Sequence, residues 1–255
     1  MRDTDERLRK HLTVAQEKYG DRVVFIAAVG SMNYGLFTET SDVDTKAVIL
    51  PTYSEIVLKK PESVTLQIDD EQCSVKDLRV YINELKKQGI NVLETLVTNY
   101  YLVNGKFLNQ VEQLRSWSEE ICHYDENKFL SSTIGAACAY ARKWNNAYKS
   151  YLQLEGEPTL DYKAAYNIVR LHNTIHAYIQ GANFKNVINC GTQLDRDFLL
   201  RIKYGYLGPE GTNSLVSNVM KDLPESNICE KNEDISRRLD NFVLKMISEN
   251  CWRNY

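Results

Sequence analysis

Asp42 and Asp44, two aspartates separated by one residue in this 255-residue chain, are of a type and spacing suited to a chemical role. Side chains of an extended strand alternate between its faces, so both carboxylates and Lys46 point one way, while Val43 and Thr45 point the other. Two carboxylates this close stay ionised only where positive charge lies nearby. Hard oxygen ligands of this kind favour Mg²⁺ or Mn²⁺. The pair therefore predicts a divalent-cation site at the start of a strand.

A Gly-Ser turn precedes the aspartates. Gly30 and Ser31 follow the apolar run 23-VVFIAAV-29, which is typical of a buried strand. Backbone N–H groups and a hydroxyl at such a corner can receive phosphate oxygens. A phosphate-binding turn beside metal-binding carboxylates predicts a site for a nucleoside triphosphate and its metal.

Three other interpretations of this stretch were weighed. An EF-hand loop would need Gly and Glu where the chain has Ala47 and Tyr53. A Walker A loop matches the spacing of Gly30 and Gly35, but Leu36-Phe37 stands where Lys-Ser/Thr is required. The remaining alternative is a solvated turn that contains two aspartates by chance.

The elements that must position these residues can be read from hydrophobic periodicity and turn residues. The first half predicts a mixed α/β unit, with Asp77 at the start of a helix. Its predicted helices cover 5–19, 77–88 and 91–97, and its predicted strands cover 23–29, 43–50, 63–68, 73–75 and 100–103. The second half predicts helices at 128–153, 160–181, 194–203, 210–222 and 233–249. The expected fold class is α/β (α+β), with domains of residues 1–110 and 111–255.

Composition narrows the class of protein. The formal net charge of −3 gives no overall attraction for nucleic acid, so a polyanion would need a local basic patch. The six cysteines form no C-x-x-C pair, and the four histidines form no H-x-x-x-H pair with a nearby acid, so neither a disulfide framework nor a zinc site is expected. The N-terminus MRDTDERLRKHL lacks an apolar core, and no apolar run approaches the length of about 18 residues that a membrane span needs. A reduced, cytoplasmic protein without membrane partners is expected.

The pattern V-G-S-x-x-Y-G-L-x-T-x-x-S-D-x-D-x-K resembles the active-site signature of the DNA polymerase β-like nucleotidyltransferase superfamily. More narrowly, it is similar to a family of predicted nucleotidyltransferases with the signature G-S-R-A-Y-G-L followed by S-D-x-D-x-R. The segments 80-VYINELKKQGINVLETL-96, 163-KAAYNIVRLHNTI-175 and 197-DFLLRIKYGYL-207 continue the resemblance in the expected order. It covers roughly residues 20–225.

The resemblance implies a nucleotidyltransferase-fold catalytic domain over 1–110 and a helical domain over 111–255 that closes the nucleotide cleft. It also implies a two-metal transfer in which Asp42 and Asp44 bind Mg²⁺ or Mn²⁺. Ser31 and the Gly30 backbone would then hold the β- and γ-phosphates.

A third metal-binding carboxylate is expected on a neighbouring strand. Asp77 is the first choice, and Asp69, Asp70 and Glu71 are alternatives. A purely structural role for Asp77, as a helix N-cap, stays open.

Further nucleotide contacts follow from the resemblance. Lys163 and Arg170, two helical turns apart, would face the triphosphate. Lys46 could pair with a carboxylate or touch a phosphate. Tyr34 could stack on a base or could be a packed aromatic residue. Glu94 is expected to support the fold near the cleft.

The chain departs from the family pattern at three places. Met32 replaces an Arg, Tyr166 replaces a His, and Gly89-Ile90 replaces an Asn-Pro step. The resemblance then implies that one phosphate or substrate contact and one proton-shuttle role are lost, whereas Ser31 and both aspartates stay in place.

The leading hypothesis is therefore a metal-dependent nucleotidyltransferase that moves a nucleoside monophosphate onto a hydroxyl of RNA, a protein or a small molecule. RNA is slightly favoured, because relatives of the narrower family are linked with RNA repair. The main alternative is a regulatory module that senses a nucleoside triphosphate without chemistry. An antitoxin-like interaction protein is the third hypothesis.

Overall fold

A computed structural model describes residues 2–38, 41–153, 160–224 and 231–251. These residues form two compact units. The first takes in the described residues up to Asn33, from Phe37 to Glu126, and from Lys231 to Cys251. The second contains Tyr34–Leu36 and the described residues from Asn127 onward to 224.

The first unit is organised around one mixed sheet. Its strands are β1 (Val23–Val29), β2 (Asp44–Ile49), β3 (Ser63–Ile68), β4 (Glu71–Asp77) and β5 (Tyr101–Val103), in the order β3-β4-β2-β1-β5. β2 and β4 are parallel, and the other neighbouring pairs are antiparallel. The sheet and its flanking helices confirm the expected α+β class.

The helices were predicted best where they are long and periodic. Within the described residues they are α1 (Arg2–Tyr19), α2 (Tyr53–Val57), α3 (Leu78–Lys86), α4 (Ile90–Val97), α5 (Leu108–Ser116), α6 (Ser118–Cys122), α7 (Glu126–Gln153), α8 (Tyr162–Ile179), α9 (Phe184–Ile188), α10 (Gln193–Lys203), α11 (Gly208–Lys221) and α12 (Glu233–Asn250). The sequence pattern did not predict α2, α5, α6 and α9. Three of these helices span only five residues, which is too few to show a helical period. No helix of the described residues combines the length and apolar character needed to cross a membrane.

Helix α1 covers one face of the sheet. Its Leu8 and Ala15 join a buried cluster with Ile26, Ala47 and Val75 of the central strands. Burial of this apolar surface is what holds the helix in place, because an isolated helix of this length is only marginally stable in water.

A buried histidine lies within the contact between α1 and the sheet. The side chain of His11 has no exposed surface, and its Nδ1 is 2.8 Å from Thr45 Oγ1 while its Nε2 is 3.0 Å from Glu71 Oε2. Burial, followed by the charges of Arg7 and Lys10, lowers the pKa of His11 to about 4. The imidazole is therefore neutral in the folded protein at pH 7.

We expect the stability of the first unit to fall as the pH is lowered from 6.5 towards 4. The unfolded chain takes up a proton at His11 with its ordinary pKa, whereas the folded chain does so only near pH 4, so acid favours unfolding by up to about 3 kcal/mol. Urea unfolding of the wild type and of His11→Gln, at several pH values, measures this contribution as the difference in pH slope. His123→Gln is the control, because that ring is partly exposed, and a slope unchanged by His11→Gln would contradict the assignment.

The division into units differs from the expected boundary near residue 110. Helices α5 and α6 stay with the sheet, and α12 returns to it from the end of the chain. Lys86 Nζ of α3 is 2.6 Å from Asp240 Oδ1 of α12, and Trp117 contacts Phe242 edge-on with ring centroids 6.3 Å apart. These contacts join residues far apart in sequence, which is why a change of local pattern along the chain did not locate the boundary.

The second unit is helical and has an aromatic core. The Phe129 and Tyr178 ring centroids lie 4.1 Å apart, and Phe184 lies 5.6 Å from Phe129. The segment Tyr34–Leu36 belongs to this unit because the backbone N–H of Cys190 donates to Tyr34 O at 2.9 Å. α8 crosses this unit and is buried along most of its length.

Candidate functional site

The Gly-Ser turn and the two aspartates lie side by side in the first unit. Val29, the last residue of β1, pairs with Asp44, the first residue of β2. A 3₁₀ turn over Gly30–Met32 begins where β1 ends, and Gly30 has a φ of +79° that favours glycine. Because paired strands are about 4.8 Å apart, the pairing of Val29 with Asp44 sets the start of this turn beside Asp44.

Burial along β2 follows the expected alternation. Asp42 and Asp44 are exposed and Lys46 is half-buried, whereas Val43 and Thr45 are buried, with Thr45 in contact with His11 of α1. Lys46 pairs in register with Ala27 on one side and Ser74 on the other. Asp42, Asp44 and Lys46 therefore lie on the side that α1 does not cover.

A buried carboxylate from α4 holds the turn in shape. Glu94 is 1% exposed, and its Oε2 accepts hydrogen bonds from the Gly30 backbone N–H and from Asn33 Nδ2, each at 2.9 Å. Asn33 Oδ1 in turn accepts from Thr98 Oγ1. The expected supporting role of Glu94 is confirmed. The expected use of the Gly30 N–H as a phosphate donor is corrected, since Glu94 already takes that hydrogen, and Ser31 is left as the candidate.

We expect Glu94→Ala to destabilise the first unit by about 2–3 kcal/mol, because it leaves the half-buried Gly30 N–H and the buried Asn33 amide without their acceptor. Glu94→Gln keeps an acceptor oxygen and should cost less. Amide hydrogen exchange at Gly30, alongside urea unfolding, measures both effects. Glu112→Ala, an exposed residue of α5, is the control, and Gly30 protection unchanged in Glu94→Ala would contradict the role.

Asp77 does not lie with the other two aspartates. The β2–β4 register pairs Asp77 with Ile49, at the far end of β2 from Asp44, which is five residues or about 16 Å along the strand. Its side chain is fully buried and accepts from the Arg79 backbone N–H at 2.8 Å and from Arg79 Nη2 at 2.5 Å. The first choice for the third metal carboxylate is thus corrected: Asp77 is the N-cap of α3.

The other candidates for the third metal carboxylate lie at the opposite end of β4 and differ in their contacts. Glu71 turns to the α1 face, where it contacts Arg7 and His11 and accepts from the Val43 N–H at 2.7 Å. Asp69 pairs with Lys10. Asp70 is exposed in the β3–β4 turn, directly before β4, and therefore lies at the end of β4 that is next to the Asp44 end of β2.

Along its paired length, the Asp44 face of β4 carries no carboxylate within the described residues. The alternation places Gln72, Ser74 and Lys76 on that face. Asp70 is therefore the residue left from the four considered whose position matches that of Asp42 and Asp44.

The expected basic pair lies in the second unit. Lys163 is exposed in the first turn of α8, whereas Arg170 is only 6% exposed. The Arg170 guanidinium lies 4.0 Å from the centre of the Tyr34 ring, and its Nη1 has no hydrogen-bond partner within the described residues. A buried guanidinium nitrogen with an unused donor fits an anionic ligand.

Two aromatic residues have packing roles. Tyr34 is 6% exposed and one face of its ring is covered by Arg170, so the packed alternative holds and base stacking does not. Tyr166, at the place of the family's His, is also 6% exposed, and burial raises the pKa of its phenol. It therefore stays protonated at neutral pH and is no proton shuttle.

A cavity in the first unit lies away from these residues. It is lined by Arg22, Leu50, Tyr53, Lys106 and Cys251, among others, and Leu50 follows the end of β2 opposite Asp44. The shape of this cavity therefore says nothing about the aspartate site.

The chain was compared with protein families, solved structures and curated proteins. The model of the RlaP family, described as RNA repair pathway DNA polymerase beta family, matches residues 4–176. Among solved structures, the crystal structure of a nucleotidyltransferase-like protein from Exiguobacterium sibiricum 255-15 is 10% identical, with a TM-score of 0.35 over 96% of this chain and 80% of that chain. No curated protein matches the sequence. The family match spans the Gly-Ser turn, both aspartates, Lys163 and Arg170.

Proposed function

The chain belongs to the RNA repair pathway DNA polymerase beta family, and from that premise we propose that it is a metal-dependent nucleotidyltransferase. It transfers a nucleoside monophosphate from a nucleoside triphosphate to a hydroxyl acceptor and releases pyrophosphate. The family supports a nucleotidyltransferase-like protein, and the metal, nucleotide and acceptor are our proposals.

The observation that carries the proposal is the β1–β2 register. It sets the start of the Gly-Ser turn beside Asp44, the first residue of β2, and the second exposed carboxylate, Asp42, lies two residues before it. Carboxylate oxygens fit Mg²⁺ or Mn²⁺, and we propose that Asp42, Asp44 and Asp70 hold these ions. When bound, such ions acidify the attacking hydroxyl and neutralise charge on the leaving pyrophosphate.

The chain's own groups have defined tasks in this proposal. The Ser31 hydroxyl donates to a phosphate oxygen, and Lys46 supplies positive charge on the aspartate face. In the second unit, Arg170, which has an unused donor on Nη1, and exposed Lys163 stay predicted phosphate-binding residues on the strength of the family resemblance. Asp77 has no place in the chemistry, because its carboxylate is buried against Arg79.

The acceptor we propose is an RNA hydroxyl. The description of the family, an RNA repair pathway, supports this choice over a protein or small-molecule hydroxyl. The net charge of −3 argues that any RNA contact is local and not a general attraction for polyanions.

The test is nucleotide incorporation by the full chain. Each of the four nucleoside triphosphates, labelled on the α-phosphate, is offered with Mg²⁺ or Mn²⁺ and with RNA oligonucleotides that carry a free or a blocked 3′-hydroxyl. We expect label on the RNA and pyrophosphate in equal amounts, both lost with the blocked end. Label on protein or on small molecules of a cell extract would replace the RNA acceptor and keep the transferase.

A sensor without transfer is the second candidate. It is favoured by the missing carboxylate on the paired face of β4, where Ser74 lies opposite Lys46. Metal-dependent binding of a triphosphate with no pyrophosphate under any of these conditions would establish it.

A further inference from the structure

Three metal-ligating side chains meet in the second unit, outside the proposed nucleotide site. His172 and His176 lie on α8, and Asp222 follows the last residue of α11. One ligand atom from each lies within 4.8 Å of the others. We propose that these residues bind a divalent transition-metal ion, with Zn²⁺ as the best fit.

The helix spacing brings the two imidazoles together. Residues four apart on an α-helix lie on the same face, one turn above the other, and the ring centroids of His172 and His176 are 4.3 Å apart. No zinc site was predicted from the sequence, because no acid lies near these histidines in the chain. Asp222 comes from another helix, so only the packing of α8 against α11 supplies the third ligand.

The two histidines already contact the Asp222 carboxylate at distances close to those between the ligands of a metal ion. His172 Nε2 is 2.8 Å from Asp222 Oδ2, and His176 Nε2 is 3.3 Å from the same oxygen. Ligands about 2.0–2.2 Å from a tetrahedral Zn²⁺ are separated from each other by roughly 3.3–3.5 Å. The two nitrogen-to-oxygen distances are therefore close to those between the ligands of a bound ion.

One nitrogen of the cluster lacks a partner. His176 Nε2 is shielded from solvent and makes no hydrogen bond of acceptable geometry within the described residues, although Asp222 Oδ2 is 3.3 Å away. A cation between the three groups would use this nitrogen together with His172 Nε2 and a carboxylate oxygen of Asp222.

The donor set selects the type of metal. Two imidazoles with one carboxylate suit Zn²⁺ and its first-row neighbours, whereas Mg²⁺ prefers oxygen ligands alone. Asp222 is exposed, with 67% of its side chain accessible, which leaves room for water as a fourth ligand. The ion would link α8, the helix that carries Arg170, to the end of α11.

The test uses the full chain without an affinity tag, treated with a chelator and then titrated with ZnCl₂ by calorimetry. We expect one site per chain, a higher midpoint of thermal unfolding with Zn²⁺, and affinity reduced by about 100-fold or more in His172→Ala, His176→Ala and Asp222→Asn. His123→Ala, a histidine beside Glu119 and Glu126, is the matched control and should bind as wild type does.

Cobalt distinguishes this site from one built by cysteines. Co²⁺ held by nitrogen and oxygen gives visible absorption without the sulfur-to-metal charge-transfer band that thiolates produce. Equal binding by wild type and Asp222→Asn, a charge-transfer band, or no binding by wild type would each overturn the proposal. Asp222→Asn changes an exposed side chain, so it tests the site even if a histidine variant folds poorly.

Discussion

Replacing Asp42 and Asp44 together by Asn is expected to lower nucleotide transfer by about 10³-fold while leaving the fold intact. The two carboxylates are the proposed metal ligands, and metal ions supply several kcal/mol of charge stabilisation in such transfers, at about 1.4 kcal/mol for each tenfold change in rate. Both side chains are exposed, and substitutions at exposed positions usually change stability by less than about 0.5 kcal/mol. Pyrophosphate release and urea unfolding, measured on the same preparations, separate the two effects.

The β3–β4 turn offers a matched pair for the third carboxylate. Asp70→Asn should lower the rate, whereas Asp69→Asn should not, since Asp69 pairs with Lys10 at the protein surface. Asn is also well tolerated at the positive φ of 51° that Asp69 adopts. Equal rates for Asp70→Asn and Asp69→Asn would remove Asp70 from the metal site, and a wild-type rate for the double Asp42/Asp44 variant would refute the proposed function.

Replacing Arg79 by Met is expected to destabilise the first unit by about 3–5 kcal/mol, the largest effect on stability that we foresee. Asp77 has no exposed surface, and removing its partner leaves a buried charge without compensation. The Asp77 carboxylate would still accept from its own helix N-terminus, at the Arg79 N–H, but it would lose the guanidinium. Urea unfolding at pH 7 measures the change.

Two further variants show whether the effect comes from the buried charge. Asp77→Asn combined with Arg79→Met should recover part of the loss, because no unpaired charge remains. Arg237→Met breaks an exposed pair with Asp234, in which both side chains are about two-thirds accessible or more, and should cost less than about 1 kcal/mol. If Arg79→Met cost no more than Arg237→Met, Asp77 would not be the structural anchor described above. Transfer activity per folded molecule should be unchanged in the double variant. If Asp77 were a third metal ligand, that activity would be lost.

Short-range patterns in the sequence determined the centre of the site and most of the regular structure. The alternation of Asp42, Asp44 and Lys46 with buried Val43 and Thr45 is a property of any strand. The apolar run before Gly30 and the periodicity of α1, α7 and α8 likewise need only neighbouring residues to be recognised. These features come from backbone geometry and local burial, so they could be predicted before any contact between distant segments was known.

Tertiary structure decided which residues accompany that centre. The parallel pairing of β2 with β4 separates Asp77 from Asp44 and leaves Asp70 at the same end of this strand pair as Asp44, although Asp77 was the first choice from the sequence. Helix packing likewise brings α12 back to α3 of the first unit and Asp222 to the histidines of α8. Strand register and helix packing depend on how the buried surfaces of distant segments fit together, and that fit is a property of the folded chain as a whole.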